Sequence, residues 1–167
     1  KFALMPDEYV VLVDEQDQAI GQLEKMEAHR LGLLHRAFSV LIFNTKGELL
    51  LQQRAAHKYH SPLLWTNSCC SHPKPGETIT AAATRRLQEE MGMEANLQPA
   101  FHFIYEAQLD QGLTEHELDH VVFGYTNQDP EINPEEVAAF RWISMAQLLQ
   151  ELETKRDSFT VWFQILL

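Results

Sequence analysis

Cysteine is scarce in this 167-residue sequence: there are two, and they are adjacent, at positions 69 and 70. A disulfide between sequence neighbours is strained, so we exclude a disulfide scaffold and expect a reducing, cytoplasmic compartment. No apolar run approaches the roughly 20 residues that span a bilayer, and the N-terminus lacks the pattern of a signal peptide. We therefore expect no membrane partner. Residues 1–4 precede Met5 and are expected to be an addition to the natural chain.

Lys and Arg are absent from residues 87–140, which contain 12 Asp and Glu, whereas residues 1–86 hold 10 basic and 9 acidic residues. The net charge of −11 weighs against nucleic acid or an anionic membrane as the main partner. Carboxylates concentrated in this way either form a solvated acidic face or hold cations.

Glycine and proline number only 7 each, and no repeat or flexible linker interrupts the chain, so a single domain is expected. Apolar, β-branched stretches predict a hairpin and further strands, at residues 9–13, 19–23, 37–43, 49–53, 101–109, 117–126 and 137–143. Helices are predicted over residues 78–91, 145–153 and 159–167. Many strands with two or three helices indicate an α/β or α+β domain with a mixed sheet.

Charged residues at i,i+4 spacing mark the helix over residues 78–91, where Arg85 lies beside Glu89 and Arg86 beside Glu90. Considered without its neighbours in sequence, this spacing predicts only two ion pairs on the protein surface. The loop SHPKPGE, residues 71–77, brings Glu77 to the start of the helix, where a carboxylate is favoured. From residue 71 the pattern S-x5-E-x7-R-R-L-x-E-E-x-G-M resembles the Nudix box, G-x5-E-x7-R-E-U-x-E-E-x-G-U, where U is aliphatic.

Two positions depart from that box: Ser71 replaces its first glycine, and Arg86 replaces the first glutamate of its R-E-U core. In Nudix hydrolases this glutamate helps to hold catalytic magnesium. The resemblance therefore implies a Nudix-like fold and diphosphate binding. It does not favour hydrolysis, because one glutamate that holds magnesium in the hydrolases is replaced by Arg86.

A second motif restricts the resemblance to one branch of the Nudix superfamily. Residues 65–73, WTNSCCSHP, are similar to the W-T-N-S-x-C-x-H-P signature of type I isopentenyl-diphosphate isomerases. The similarity extends over about residues 8–162 and implies a Nudix-like mixed β-sheet sandwiched between helices. It also implies that the chain interconverts isopentenyl and dimethylallyl diphosphate in isoprenoid biosynthesis.

The resemblance implies two cation sites. Three imidazoles and two carboxylates would hold one divalent ion (Mn²⁺, Mg²⁺ or Zn²⁺): His29, His35, His72, Glu115 and Glu117. Glu90 would hold a second ion, Mg²⁺, against the substrate diphosphate, together with the Cys70 carbonyl. The diphosphate itself would contact four cationic side chains: Lys25, Arg54, Lys58 and Arg86. The histidines without such support are expected to be structural: His57, His60, His102 and His120.

Catalysis by this family moves a proton onto an unactivated alkene and removes another through a tertiary carbocation. The resemblance assigns Cys70 and Glu117 as the acid–base pair, Tyr105 as a proton relay at Glu117, and Trp162 as a π face for the cation. For Tyr105 and Trp162 the alternative is ordinary core packing. Alternation along an extended segment would turn Cys70 toward the substrate and Cys69 away from it.

Two other functions remain possible from the sequence: a Nudix diphosphohydrolase, and a silent binding module on the same scaffold. The hydrolase would need a carboxylate at position 86 and has no use for Cys70. The expected partner is a small-molecule diphosphate, and no nucleic acid partner is expected. The protein itself is expected to be a monomer or a homodimer. Arg85 and Glu89 are expected to hold the loop and helix together.

Overall fold

The computed structural model describes residues 8–167, so the expectation about residues 1–4 lies outside the described part of the chain. This part of the chain forms nine strands and four α-helices. The strands are β1 Tyr9–Val13, β2 Ala19–Glu24, β3 His35–Phe43, β4 Leu49–Arg54, β5 Trp65–Thr66, β6 Cys69–Ser71, β7 Gln98–Gln108, β8 Thr114–Tyr125 and β9 Val137–Ile143. The helices are α1 Lys25–Leu31, α2 Ile79–Met91, α3 Met145–Thr154 and α4 Val161–Leu166.

Strand β3 lies at the centre of the sheet. It runs parallel to β8 over its whole length, from the His35–Glu117 pair to the Phe43–Tyr125 pair. Its pairings with β1, β4 and β6 are antiparallel, and β7 extends the sheet antiparallel to β8. The predicted mixed sheet is therefore confirmed.

Helices cover both faces of the sheet, as predicted. On one face, α2 buries Leu87 and Met91 against Phe38 and Val40 of β3; we call this cluster the α2 core. On the other face, α3 and α4 pack on alternate residues of the same strands, and Trp162 belongs to this second cluster, the α4 core. Because side chains alternate along a strand, neighbouring residues of β3 and β6 are divided between the two cores.

Local signals account for the best-predicted helix, α2. The Thr78 hydroxyl accepts a hydrogen bond from the Ala81 N–H at 3.2 Å, and Gly92 ends the helix in the left-handed region with φ 58°. A Cβ at Gly92 would collide with the Glu131 carbonyl, so this stop requires glycine. Ser144 caps α3 in the same way.

The helices of the structure differ from the predicted ones in two places. Helix α1 was not predicted, because it is only seven residues long and its N-cap, Glu24, is an uncommon capping residue. The helix predicted over residues 159–167 is shorter: Phe159 bridges to Trp65, and Thr160 caps a helix that begins at Val161. Within residues 8–167 no helix has the length and apolar character to cross a membrane.

Candidate active site

A cavity of about 100 Å³ is bordered by residues from α1, β4, β6, α2, β8 and α4. Its wall is unusually rich in charged and aromatic side chains for a protein interior. These include Glu8, Lys25, Arg54, Lys58, Tyr59, His60, Cys70, His72, Arg86, Glu90, Glu115, Glu117, Glu136 and Trp162. The cavity is therefore suited to a charged ligand that also has an apolar part.

Three histidines from separate elements converge at one end of this cavity. His29 and His35 are fully buried, and the rings of His35 and His72 are 5.0 Å apart. The Nδ1–H groups of His29 and His35 donate to the backbone carbonyls of Lys25 and Leu33, at 2.7 and 2.8 Å. These bonds orient both rings and direct each Nε2 toward the neighbouring carboxylates.

The carboxylates come from alternate residues of β8. Glu115 and Glu117 project to the same side of the strand, as its period of two requires. Between them, His116 faces the other side, and its Nδ1 lies 3.1 Å from the Gly32 carbonyl.

Each carboxylate contacts imidazole. Glu115 Oε1 lies 2.8 Å from His29 Nε2, whereas Glu117 Oε2 lies 2.7 Å from His72 Nε2 and 3.2 Å from His35 Nε2. Burial disfavours protonation of His29, but the bond to Glu115, the charges of Glu115 and Glu117 and the bond to the Lys25 carbonyl together outweigh burial and raise the His29 pKa. Burial and the neighbouring His35 lower the pKa of His72 well below its ordinary value.

This arrangement fits a divalent cation. Two groups of residues place one nitrogen or oxygen ligand each within 4.8 Å of one another: His29, His35, His72 and Glu117, and His29, His60 and Glu115. Among the described residues, the buried His35 Nε2 has no hydrogen-bond partner, although it faces this cluster. A buried nitrogen without a partner is costly in a protein and is what a metal ligand requires.

Tyr105, on β7, contacts both carboxylates. Its hydroxyl donates to Glu115 Oε2 at 2.9 Å and also to Glu117 Oε1. Burial raises the pKa of Tyr105 well above its usual value, so the hydroxyl remains a donor. Burial would raise the pKa of Glu117, but the adjacent His35 imidazole first, and then the hydrogen bond from Tyr105, help to lower it to about 2.

The two cysteines occupy opposite faces of β6. Cys69 is fully buried in the α2 core, where its thiol donates to Glu90 Oε2 at 3.3 Å. Cys70 is half-buried and lines the cavity. Burial raises the pKa of Cys70 to about 12 and that of Cys69 well above its ordinary value, so both are neutral thiols at pH 7. The predicted opposition of the two side chains is confirmed.

Four cationic side chains also border the cavity: Lys25, Arg54, Lys58 and Arg86. Three of them pair with carboxylates. Lys25 Nζ lies 2.9 Å from Glu8, Lys58 contacts Glu136, and Arg86 Nη2 lies 2.8 Å from Glu90 Oε1. Arg54 instead lies over Trp162, with its Cζ 5.3 Å from the ring centroid. The structure thus brings all four predicted anion-binding residues to one wall.

Comparisons with known proteins agree with this geometry. Residues 33–163 match the NUDIX domain. An isopentenyl-diphosphate Delta-isomerase from Pectobacterium atrosepticum is 53% identical over 161 residues, which cover 96% of this chain and 90% of that protein. The chain belongs to the isopentenyl-diphosphate Delta-isomerase family. A relative of the same name from Serratia proteamaculans is 52% identical, over 94% of this chain and 88% of that protein.

Solved structures support the fold. The DR0079 protein of Deinococcus radiodurans has a TM-score of 0.75 at 22% identity, over 89% of this chain and 90% of that one. The MutT protein of Methanosarcina mazei has a TM-score of 0.62 at 21% identity, over 78% of this chain and 88% of that one. At these identities the likeness shows the Nudix fold alone.

In this member of the isomerase family, Glu90 is held from three sides. Arg86 binds Oε1, while Gln52 Nε2 at 3.1 Å and the Cys69 thiol contact Oε2. Arg85 does not line the cavity, and its guanidinium donates two hydrogen bonds to Glu77, at 2.8 and 2.9 Å. The expectation that Arg85 holds the loop to the helix is confirmed.

Part of the cavity wall was not predicted from the sequence. His60, expected to be merely structural, is buried with its Nε2 3.6 Å from Glu115 and its ring 5.6 Å from that of Trp162. His60 lines the cavity because the chain between β4 and β5 folds back there, and its structural role stays a prediction. Burial lowers the pKa of His60 to about 3, so it is neutral. Tyr59 lies beside it, and no local pattern in the sequence indicates either residue.

Proposed function

We propose that this protein interconverts isopentenyl diphosphate and dimethylallyl diphosphate, as its family name implies. The observation that carries the proposal is one cavity lined by Cys70 and Glu117 together with four cations. A diphosphate with about three negative charges needs such a cluster, above all in a protein with a net charge of −11.

The cations have unused capacity for an anion. Among the described residues, the buried Nε atoms of Arg54 and Arg86 have no hydrogen-bond partner. Guanidinium groups bind phosphate oxygens through paired, charge-assisted hydrogen bonds. We assign Lys25, Arg54, Lys58 and Arg86 to the diphosphate. Glu90 and the Cys70 carbonyl would hold Mg²⁺, which would supply further positive charge to the diphosphate.

The acid and base are Cys70 and Glu117. Protonating one end of the alkene and deprotonating C2 requires two groups in a site that excludes water. With pKa values of about 12 for Cys70 and about 2 for Glu117, the pair holds one proton at neutral pH. Tyr105 donates a hydrogen bond to Glu117 and thereby orients its carboxylate.

Trp162 closes the cavity from α4 and is only 4% exposed. The face of an indole ring attracts a cation within about 6 Å, and burial strengthens this attraction. Arg54 already lies at such a distance. We therefore assign Trp162 to the transient tertiary carbocation, which would form beside its ring.

The imidazole and carboxylate cluster would hold one divalent ion, Mn²⁺, Mg²⁺ or Zn²⁺, through His29, His35, His72, Glu115 and Glu117. A bound cation would supply positive charge that alters the acidity of the neighbouring carboxyl group. The Nδ1 bonds of His29 and His35 to backbone carbonyls orient the ligands in advance.

Hydrolysis is the less favoured function. The hydrolase box has a carboxylate where this chain has Arg86, and Arg86 forms an ion pair with Glu90. Arg86 therefore leaves this chain one carboxylate ligand short of the hydrolase set. We further propose a reducing, cytoplasmic location, which the two free cysteines support, and a monomer or homodimer.

The direct test is incubation of the purified protein, with divalent ions, with isopentenyl diphosphate. We expect dimethylallyl diphosphate to form until equilibrium is reached, without release of phosphate. The Cys70→Ala variant is the matched control and should form almost none. Release of phosphate without isomer would instead support the hydrolase, and an inactive wild-type protein would contradict the proposal.

A further inference from the structure

A chain of polar side chains crosses the interior between α4 and β6. Thr66, Asn67 and Thr160 are each 0% exposed. Uncharged polar groups at such depth are stable only when hydrogen-bonded. None of these three residues lines the cavity, and the acid–base chemistry above does not use them.

The hydrogen bonds of this chain run in one direction. The Phe163 N–H donates to Thr160 Oγ1 at 3.4 Å, and the Thr160 hydroxyl donates to Thr66 Oγ1 at 2.9 Å. Thr66 then donates to Asn67 Oδ1 at 2.8 Å. Bonds arranged donor to acceptor in this way polarise and strengthen one another.

At its far end the chain holds β6. The Asn67 side-chain amide donates to the Cys69 carbonyl at 2.8 Å and to the Val40 carbonyl of β3 at 3.1 Å. A backbone bond runs beside the chain, from the Thr160 N–H to the Trp65 carbonyl at 3.0 Å. The start of α4 is thus tied to the segment that leads into β6.

The two ends of the chain carry cavity residues. Trp162 follows Thr160 by two positions, and Cys70 directly follows Cys69, whose carbonyl is held by Asn67. Both Trp162 and Cys70 line the cavity. A displacement at either end of the chain would change the separation between the aromatic ring and the thiol.

We propose that Thr66, Asn67 and Thr160 are positioning residues that fix Trp162 relative to Cys70. The inference rests on the proposed isomerase function, in which a carbocation forms between these two side chains. An apolar core would fill the same space with similar stability, whereas a connected polar network specifies one arrangement.

The test compares Thr66→Val, which keeps the shape but breaks the chain, with Thr66→Ser, which keeps the hydroxyl. For Thr66→Val we expect kcat to fall by about 10- to 100-fold with KM changed less than about twofold, because the diphosphate contacts are intact. Thr66→Ser should restore most of kcat. Thr160→Val should have a similar effect, and the Thr66→Val/Thr160→Val double variant should be no worse than either single variant.

Ser144→Ala is the matched control for Thr160→Val, since it likewise removes a hydroxyl cap, but from α3, away from the cavity. It should lower the Tm and leave kcat unchanged. Equal losses of kcat in Ser144→Ala and Thr66→Val at equal Tm, or additive losses in the double variant, would overturn the inference. So would failure of both Thr66→Val and Thr160→Val to fold, because the chain would then serve the fold itself. An inactive wild-type protein would contradict the proposed function instead.

Discussion

Cys69 and Cys70 are adjacent in sequence, but they belong to two different parts of the molecule. Cys69 is enclosed by the α2 core, with Glu90 as its polar neighbour. Cys70 faces the cavity, together with Glu117 and Trp162. Burial raises the pKa of both thiols, so acidity alone does not distinguish them. The difference lies in which side chains each thiol can reach.

The ion pairs of α2 and those of the histidine cluster differ in how far apart their partners lie in the sequence. On the α2 side, arginines and glutamates pair over short distances in sequence, such as Arg86 with Glu90. On the cavity side, His29 contacts Glu115 across 86 positions. The first kind of pair follows from helix periodicity, whereas the second exists only in the folded chain.

The largest expected effect concerns the imidazoles. Removing divalent ions with a strong chelator should abolish turnover and lower the Tm, because a ligand that binds only the folded state stabilises it. Added Mn²⁺, Mg²⁺ or Zn²⁺ should restore at least part of both. His35→Gln should lose the response, whereas His57→Gln, at an exposed residue, should keep it. Full activity in a demonstrably metal-free sample would contradict this assignment.

Next in size is the effect of the cysteines. Cys70→Ala should lower kcat by about 10²–10⁴-fold, as expected when a general acid–base group is removed. Cys69→Ala should leave kcat nearly unchanged and cost about 1 kcal/mol of unfolding free energy. Steady-state kinetics and thermal denaturation measure the two effects. If Cys69→Ala is the inactive variant, the assignment of the β6 faces is wrong, and His72, aligned by the same spacing, must be reconsidered.

Arg86 lies where the two sides meet. Arg86→Glu should lower kcat/KM by about 1.5–3 kcal/mol, the range for a lost hydrogen bond to a charged group. The KM should rise, because Arg86 is assigned to the diphosphate. A phosphate-release assay should detect no efficient hydrolysis. Unchanged kinetics would show that Arg86 is only an ion-pair partner of Glu90.

The smallest effect is expected at the loop before α2. The hydrogen bond from Arg85 lowers the pKa of Glu77 below its ordinary value of 4.5. The pair therefore stabilises the fold above that pH, and the stabilisation is lost as the pH falls through the lowered pKa. Arg85→Ala should cost about 1 kcal/mol or less at pH 7, and the difference from wild type should vanish in acid. A pH series of denaturant titrations measures it; a difference that persists in acid would contradict it.

Much of the fold could be predicted because its signals are local. Thr78 and Gly92 mark the ends of α2, and both lie within a turn of the helix they delimit. The hairpin of β1 and β2 and the pair β3 and β4 follow from alternation and short turns. Strand β8 begins earlier than predicted, at Thr114, because β7 pairs with residues 114–116, which lack a strong strand pattern.

Helix α1 and His60 show where local signals end. Helix α1 is a short polar segment whose caps, Glu24 and Gly32, are ambiguous in sequence. His60 joins the cavity because the chain after β4 folds back there, and nothing in its neighbours indicates this. Isolated helices of this length are marginal, so tertiary contacts decide whether they form.

Backbone periodicity alone predicts the relations between residues that are close in sequence. Cys69 opposes Cys70, Glu115 and Glu117 share a face, and Arg86 meets Glu90 one turn along α2, because strand and helix geometry leave no other outcome. The tertiary structure decided which distant residues meet. Only the parallel pairing of β3 with β8 sets His35 beside Glu117, and only the docking of α4 brings Trp162 to the cavity that Cys70 lines. Those contacts depend on packing of the whole sheet, for which no short stretch of sequence contains the information.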